Sequence, residues 1–315
     1  LASDEEVDMK PDAVYVFGAS GDDLSRYGSL PTVFYEDKEN DLLVAAVPGD
    51  REFGYFGYLK KMILTLHNVT VMKRGRMPYH GAAVNMVLRD GRSATVLIMG
   101  DTGAGKSETL ESFRVLSGEH TRDMFVIADD MGSLSIGDDG RVLVYGTEIG
   151  AFARLDDLPR EFAFTQLDRS IIMSVQKVNA RVVLPVTDMA TVLKGFPVDY
   201  IFYANNYEQV DDACPAIERF SSVEQALTVF SEGKVMAKGT TTAVGVNGDY
   251  FANIFGPPQY RELHDELAKR FFSAAFEKGV FVGQIRTRLG IPGWENKGPE
   301  ETAKALLKLI SSENS

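Results

Sequence analysis

The sequence predicts an α/β fold built on a mixed sheet, and three observations carry that expectation. Short β-branched and apolar runs alternate with segments of helical periodicity. Several of those runs follow one another with no helix between them, which a purely parallel, doubly wound sheet would not allow. The apolar run Ala94–Met99 leads through a glycine-rich stretch into a further helical pattern. In chain order, strands are expected over 12–17, 43–47, 95–99, 124–128, 142–145, 181–184 and 199–203. Helices are expected over 106–117, 223–231, 260–278 and 300–311. Turn chemistry between elements is supplied by Gly132 to Asp139 and by Gly248 with Pro257-Pro258. The basic turn Lys73-Arg74-Gly75-Arg76 suggests a boundary near residue 75.

Composition narrows the function classes. At 315 residues, 44% apolar and 25% charged, the chain has ordinary globular make-up and length enough for a large core. A net charge of −12 argues against a general nucleic-acid binder, which needs a basic face to displace counterions from phosphates. Any polyanion must therefore be held by a local site. The single cysteine, Cys214, excludes an internal disulfide, and no cysteine cluster suits structural zinc. No run approaches the roughly 18 apolar residues that span a bilayer, and the acidic start from Leu1 to Lys10 is unlike a signal peptide. A cytoplasmic protein is expected. The first residue is leucine, which predicts a processed or truncated product.

Residues 100–107, Gly-Asp-Thr-Gly-Ala-Gly-Lys-Ser, form a triphosphate-loop pattern in the strand–loop–helix context that gives it meaning. Gly103 and Gly105 let the backbone wrap phosphates with inward N–H groups, and the following helix adds its positive N-terminus. Gly100, Asp101, Thr102 and Ala104 complete the cradle. Lys106 is expected on the terminal phosphates and Ser107 on the magnesium that accompanies the nucleotide. After the helix, the apolar strand Met124–Ala128 is expected to end in Asp129-Asp130 beside this loop. One carboxylate can hold a metal while the other accepts a proton or orients a nucleophile.

The loop, the acid pair and their spacing resemble the superfamily shared by phosphoenolpyruvate carboxykinase and HPr kinase. Tyr55-Phe-Gly-Tyr-Leu-Lys60-Lys61-Met is similar to the Tyr-x-Gly-Glu-Met-Lys-Lys segment of the ATP-dependent carboxykinases, and His80-Gly-Ala-Ala-Val-Asn85 to their His-Cys-Ser-Ala-Asn segment. Glu148 to Arg154, Asn179-Ala-Arg181-Val and Ala237-Lys-Gly-Thr240 resemble further carboxykinase segments, in the family's order. The resemblance implies a mixed-sheet, carboxykinase-like mononucleotide-binding domain over 76–315, preceded by the remnant of an N-terminal lobe over 1–75. It also implies a manganese ion held by Lys61, His80 and Asp130. Such a lysine must be a neutral amine, and imidazole with carboxylate completes a donor set that suits manganese. Arg181 would bridge substrate carboxylate and transferred phosphate with its planar fork, Tyr55 would sit against the substrate, and Thr302 would lie near base or ribose. His67, His120 and His264 are read as structural.

The sequence departs from the carboxykinase pattern at Tyr58, Met131, Ser107 and Arg154, and little chain precedes Lys60. The loop wording and the His80-Gly81 pair also resemble HPr kinase, where Asp129 would be the general base for a hydroxyl acceptor. A third expectation is an ATP-sensing module without catalysis, which would bind nucleotide without metal at Lys61, His80 and Asp130.

Overall fold

The computed structural model describes residues 10–28, 32–50, 53, 56–118, 121–154, 171–173, 181–237, 245–256 and 260–312. The chain is mixed α/β. Strands β1 (Ala13–Ala19), β2 (Val33–Asp37) and β3 (Leu42–Pro48) form a small sheet in the order β1-β3-β2, after which helix α1 (Phe56–Lys73) leads into the main sheet. The main sheet uses β4 (Met77–Leu88), β5 (Ser93–Met99), β6 (Thr121–Ile136), β7 (Val142–Gly146), β11 (Phe196–Pro197), β12 (Tyr200–Asn205), β13 (Ile217–Arg219) and β16 (Phe281–Arg286). Its order is β11-β7-β6-β4-β5-β12-β16-β13. Two smaller sheets are β8 (Gly150–Arg154), β9 (Ile171–Met173) and β10 (Arg181–Pro185), and β14 (Lys234–Met236) with β15 (Val246–Gly248).

The main sheet has two halves of different character. β5, β12 and β16 run parallel, whereas β4, β6, β7 and β11 pair antiparallel. Parallel strands need crossovers, and helices α2 (Lys106–Ser117), α4 (Val223–Glu232) and α5 (Arg261–Glu277) lie within those connections. Two shorter or terminal helices, α3 (Met189–Lys194) and α6 (Lys297–Ser312), complete the set of helices that matter here. α2 and α6 pack on one face of the sheet, where Leu110, Phe113, Leu306 and Ile310 share a core with Val96 and Ile98. α1 and α5 cover the other, where Leu66, Val69, Phe271 and Phe272 pack with Leu97 and Met99. Strand period two sends neighbouring residues of β5 into opposite cores, so both faces are buried. Each buried Leu or Phe there contributes roughly 1.5–3 kcal/mol.

The mixed sheet and the expected helices are present. Two long elements lie outside the sequence expectation, and a third runs beyond it. β4 is almost wholly buried and so lacks the polar alternation that marks a half-exposed strand. α1 is rich in β-branched residues and has buried positions on much of its circumference. β6 does not stop at the acid pair but continues to Ile136, so the expected turn begins only at Gly137. Leu43 and Ala45 of the small sheet share one buried cluster with Met77 and Tyr79 of the main sheet. No helix among the described residues is long and apolar enough to cross a membrane.

Candidate functional site

The phosphate loop leaves the C-terminal end of β5, the usual ligand-binding end of a parallel α/β sheet. Its shape is fixed from outside. The Asn206 amide donates to the Gly103 carbonyl at 2.9 Å, the Thr287 hydroxyl to the Ala104 carbonyl at 2.7 Å, and the Lys106 amine to the Asp101 carbonyl at 2.9 Å. Because C=O and N–H of one trans peptide point in opposite directions, the Gly105 N–H is aimed away from Thr287. Gly105 has φ +93°, and a Cβ there would lie 2.7 Å from the Thr287 hydroxyl oxygen, so this position requires glycine. Asp101 folds back on the loop and accepts from the Thr102 N–H at 2.7 Å.

β4 lies between β5 and β6, so the acid pair is not on a strand adjacent to the loop strand as simple alternation would have it. His80 is opposite Met131, and Gly81 opposite Asp130. In a regular strand Asp129 and Asp130 would face opposite sides. Asp130, however, has φ +100°, and both carboxylates engage groups of one site. The Ser107 hydroxyl donates to Asp129 Oδ1 at 3.2 Å. Lys60 Nζ meets Asp130 Oδ2 at 2.6 Å and Glu148 Oε1 at 3.2 Å. His80 Nε2 stands 3.3 Å from Asp130 Oδ1, while Nδ1 is 2.5 Å from the Ala252 carbonyl.

Burial would raise the Asp130 carboxyl, but the His80 ring, when it carries a second proton on Nε2, and the Lys60 amine outweigh it and hold it well below the usual carboxylate range. Burial and the neighbouring Asp130 charge push Asp129 up. Burial raises Glu148 to about 7 despite the Lys60 amine. For Lys60 burial works against the charge, and Asp130 with Glu148 reverses that, so this amine is held cationic. Burial lowers Lys106, with the surrounding carboxylates acting in the opposite direction. The site thus holds acids pushed apart in proton affinity, the arrangement that separates acid from base roles in enzymes.

The structure brings some of the expected residues together and leaves others apart. Gly100 to Ser107, His80, Asp129 and Asp130 surround one site. The lysine beside Asp130 is Lys60; the Lys61 amine instead lies 5.8 Å over the Phe255 ring. Thr302 is fully buried, and its hydroxyl lies 2.9 Å from the carbonyls of both Arg286 and Gly298, to one or other of which it donates, so no face of it is offered to a base or ribose. Arg181 stands on β10 opposite Arg154 and Met173, with its side chain outside the described residues. Tyr55, Asn179 and the segment Lys238 to Thr240 also lie outside them. Sequence reasoning missed Glu148 as a member of the charge cluster, although it stands in the matched segment. It also missed Asn206 and Thr287, whose roles rest on distant pairings that no local pattern signals. Arg288, next to Thr287, is buried with its guanidinium 3.9 Å over the Trp294 ring and bonded to Glu301.

The metal set can be judged on its donors. His80 Nε2 is buried without a hydrogen-bond partner and faces a carboxylate oxygen, an arrangement that a cation between them would relieve. Its other nitrogen is bonded to a carbonyl, as in most metal-binding histidines. Among the described residues, no group of three or more His, Cys, Asp and Glu is disposed to hold a metal ion. No family model matches the chain, and no curated protein matches it.

Proposed function

We propose that the chain is a nucleotide-dependent phosphoryl-transfer enzyme built on a carboxykinase-like domain. In this reading it interconverts oxaloacetate plus ATP with phosphoenolpyruvate, carbon dioxide and ADP. The observation that carries it is the convergence on one site of the loop residues Lys106 and Ser107 with Asp129, Asp130, His80 and Lys60. ATP bound with magnesium at the loop would supply the phosphoryl group, and a manganese ion held by His80 and Asp130 would supply Lewis acidity.

The protein groups then have separable tasks. Lys106 would exchange the Asp101 carbonyl for phosphate oxygens, whose negative charge adds to that of the surrounding carboxylates in opposing the effect of burial on the amine. Ser107 is held by Asp129 toward the helix start, where a metal bound to phosphate would lie. Lys60, kept cationic, stabilises negative charge developing on the substrate oxygen. Lys61, which the resemblance names as ligand, would have to leave the Phe255 ring to reach the metal.

One observation favours a second reading, phosphorylation of a serine or small-molecule hydroxyl as in HPr kinase. Asp129 is pushed toward higher proton affinity, as a general base for a hydroxyl requires. A coupled assay with ATP, magnesium and manganese separates these readings. Phosphoenolpyruvate formed from oxaloacetate and lost in Lys106→Ala supports the carboxykinase. ADP release only with hydroxyl acceptors supports the kinase, and nucleotide binding with no turnover of either kind leaves an ATP sensor.

A further inference from the structure

Three consecutive non-glycine residues, Phe251, Ala252 and Asn253, have φ of 46°, 56° and 62°. For L-residues the left-handed region costs roughly 1–2 kcal/mol each, less for asparagine. A run of three persists only where its surroundings over-determine it. Those surroundings are specific. Phe251 is buried edge-on against His264, with centroids 4.7 Å apart, and the His264 ring is held between the Tyr250 hydroxyl at 2.9 Å and the Pro78 carbonyl at 3.1 Å. Just past the turn, the fully buried Asn68 donates its amide to the Phe255 carbonyl at 2.8 Å. The Phe255 ring in turn lies 5.9 Å from the His80 ring at 32°.

What this strained turn delivers is a single carbonyl. Ala252 O lies 2.5 Å from His80 Nδ1, and a carbonyl oxygen only accepts. The proton must therefore sit on Nδ1, which leaves Nε2 as the nitrogen facing Asp130. Asn68 stands roughly two turns beyond Lys60 on α1, so one helix carries both the cation on Asp130 and the tie to Phe255, three residues past the carbonyl that meets His80.

We propose that the Phe251–Asn253 turn is a tautomer lock for His80, and that Asn68 and Phe251 are its positioning residues. The geometry of the lock stands on the contacts above; its bearing on metal binding rests on the function proposed. In the lock the Nδ1 proton is shielded and slow to exchange, and Nε2 is the nitrogen presented toward Asp130. Loosening the turn frees the ring to rotate and to swap nitrogens.

The test is ¹⁵N–¹H spectroscopy of the metal-free full chain labelled on histidine, with the His80 signals assigned by their loss in His80→Gln. The expected wild-type result is a proton on Nδ1 that exchanges slowly with solvent. In Asn68→Ala and in Phe251→Leu that exchange should speed up at least tenfold, and manganese affinity, read by titration of the free ion, should fall about tenfold. A wild-type ring protonated on Nε2 alone overturns the proposal, as do folded variants with unchanged Nδ1 exchange. Should neither variant fold, the wild-type ring still decides. A locked ring loosened by both variants, in a protein that binds neither manganese nor ATP, would uphold the lock and reject the proposed function.

Discussion

Lys60 and Asp130 meet at 2.6 Å across 70 residues of chain, and the lysine side chain is only 10% exposed. Removing one member of such a pair leaves a partly buried charge uncompensated. Lys60→Met should therefore cost about 2–3 kcal/mol, somewhat below the fully buried case because both acids retain some contact with water. Lys61→Met loses only a distant ring contact and should stay within about 1 kcal/mol of wild type. Chemical denaturation of the two variants checks this. Equal costs would mean that the two lysines share the role.

The pH dependence of stability should carry the signature of Glu148. Its folded-state proton affinity is raised to about 7 from an ordinary value of 4.5, so between those values the folded chain binds more protons there than the unfolded one. Stability contributed by this group is then present at low pH and falls as pH rises through 7. Asp130, shifted downward, acts in the opposite sense but only near and below pH 4, outside that window. His67 and His264, both lowered by burial, act in the opposite sense within that window, so the signature is a difference: from pH 5 to 7.5 the unfolding free energy of wild type should fall relative to that of Glu148→Gln. Parallel curves would show that Glu148 does not titrate in this range.

Lys106 offers a separation of stability from function. Burial already depresses its charge in the nucleotide-free protein, so Lys106→Met should be no less stable than wild type. Turnover should nevertheless drop roughly a thousandfold or more, since a cation aimed at developing charge is lost. Thermal melting beside a nucleotide titration reads both. Retained nucleotide affinity and turnover would exclude the loop as the phosphate site.

At Gly105 the constraint is steric as well as conformational. Alanine there would occupy a left-handed φ of +93° and press on Thr287 at 2.7–2.8 Å. Gly105→Ala should cost about 2 kcal/mol or more. It should also weaken ATP binding through a displaced loop. Pairing it with Thr287→Ala should recover part of the stability, since the smaller neighbour yields room; no recovery would place the cost entirely in the backbone.

How much of this was legible in the sequence depends on the range of the interaction. The loop, α2 and the presence of Asp129-Asp130 are local patterns, and local patterns survive translation into structure. Position within the sheet was not legible: β4 intervenes between the loop strand and the acid strand, and its buried run carries no alternation to announce it. The choice between Lys60 and Lys61 depends on which face of α1 meets Asp130, a tertiary fact. Thr302 was expected near base or ribose from the carboxykinase resemblance, yet α6 packs it inward. Asp130 turns out of strand geometry in the middle of β6, something an aspartate pair in a sequence does not disclose.

Thr287 lies 183 residues from the loop carbonyl that it holds, and Asn206 lies 103 from another. The eight-residue motif is therefore not a self-sufficient module. A peptide spanning β5 and α2 would contain every letter of the phosphate-loop pattern while lacking the two outer clamps that shape it. Grafted into another scaffold, it would carry the signature without the cradle, and a transplant would have to bring the ends of β12 and β16 with it.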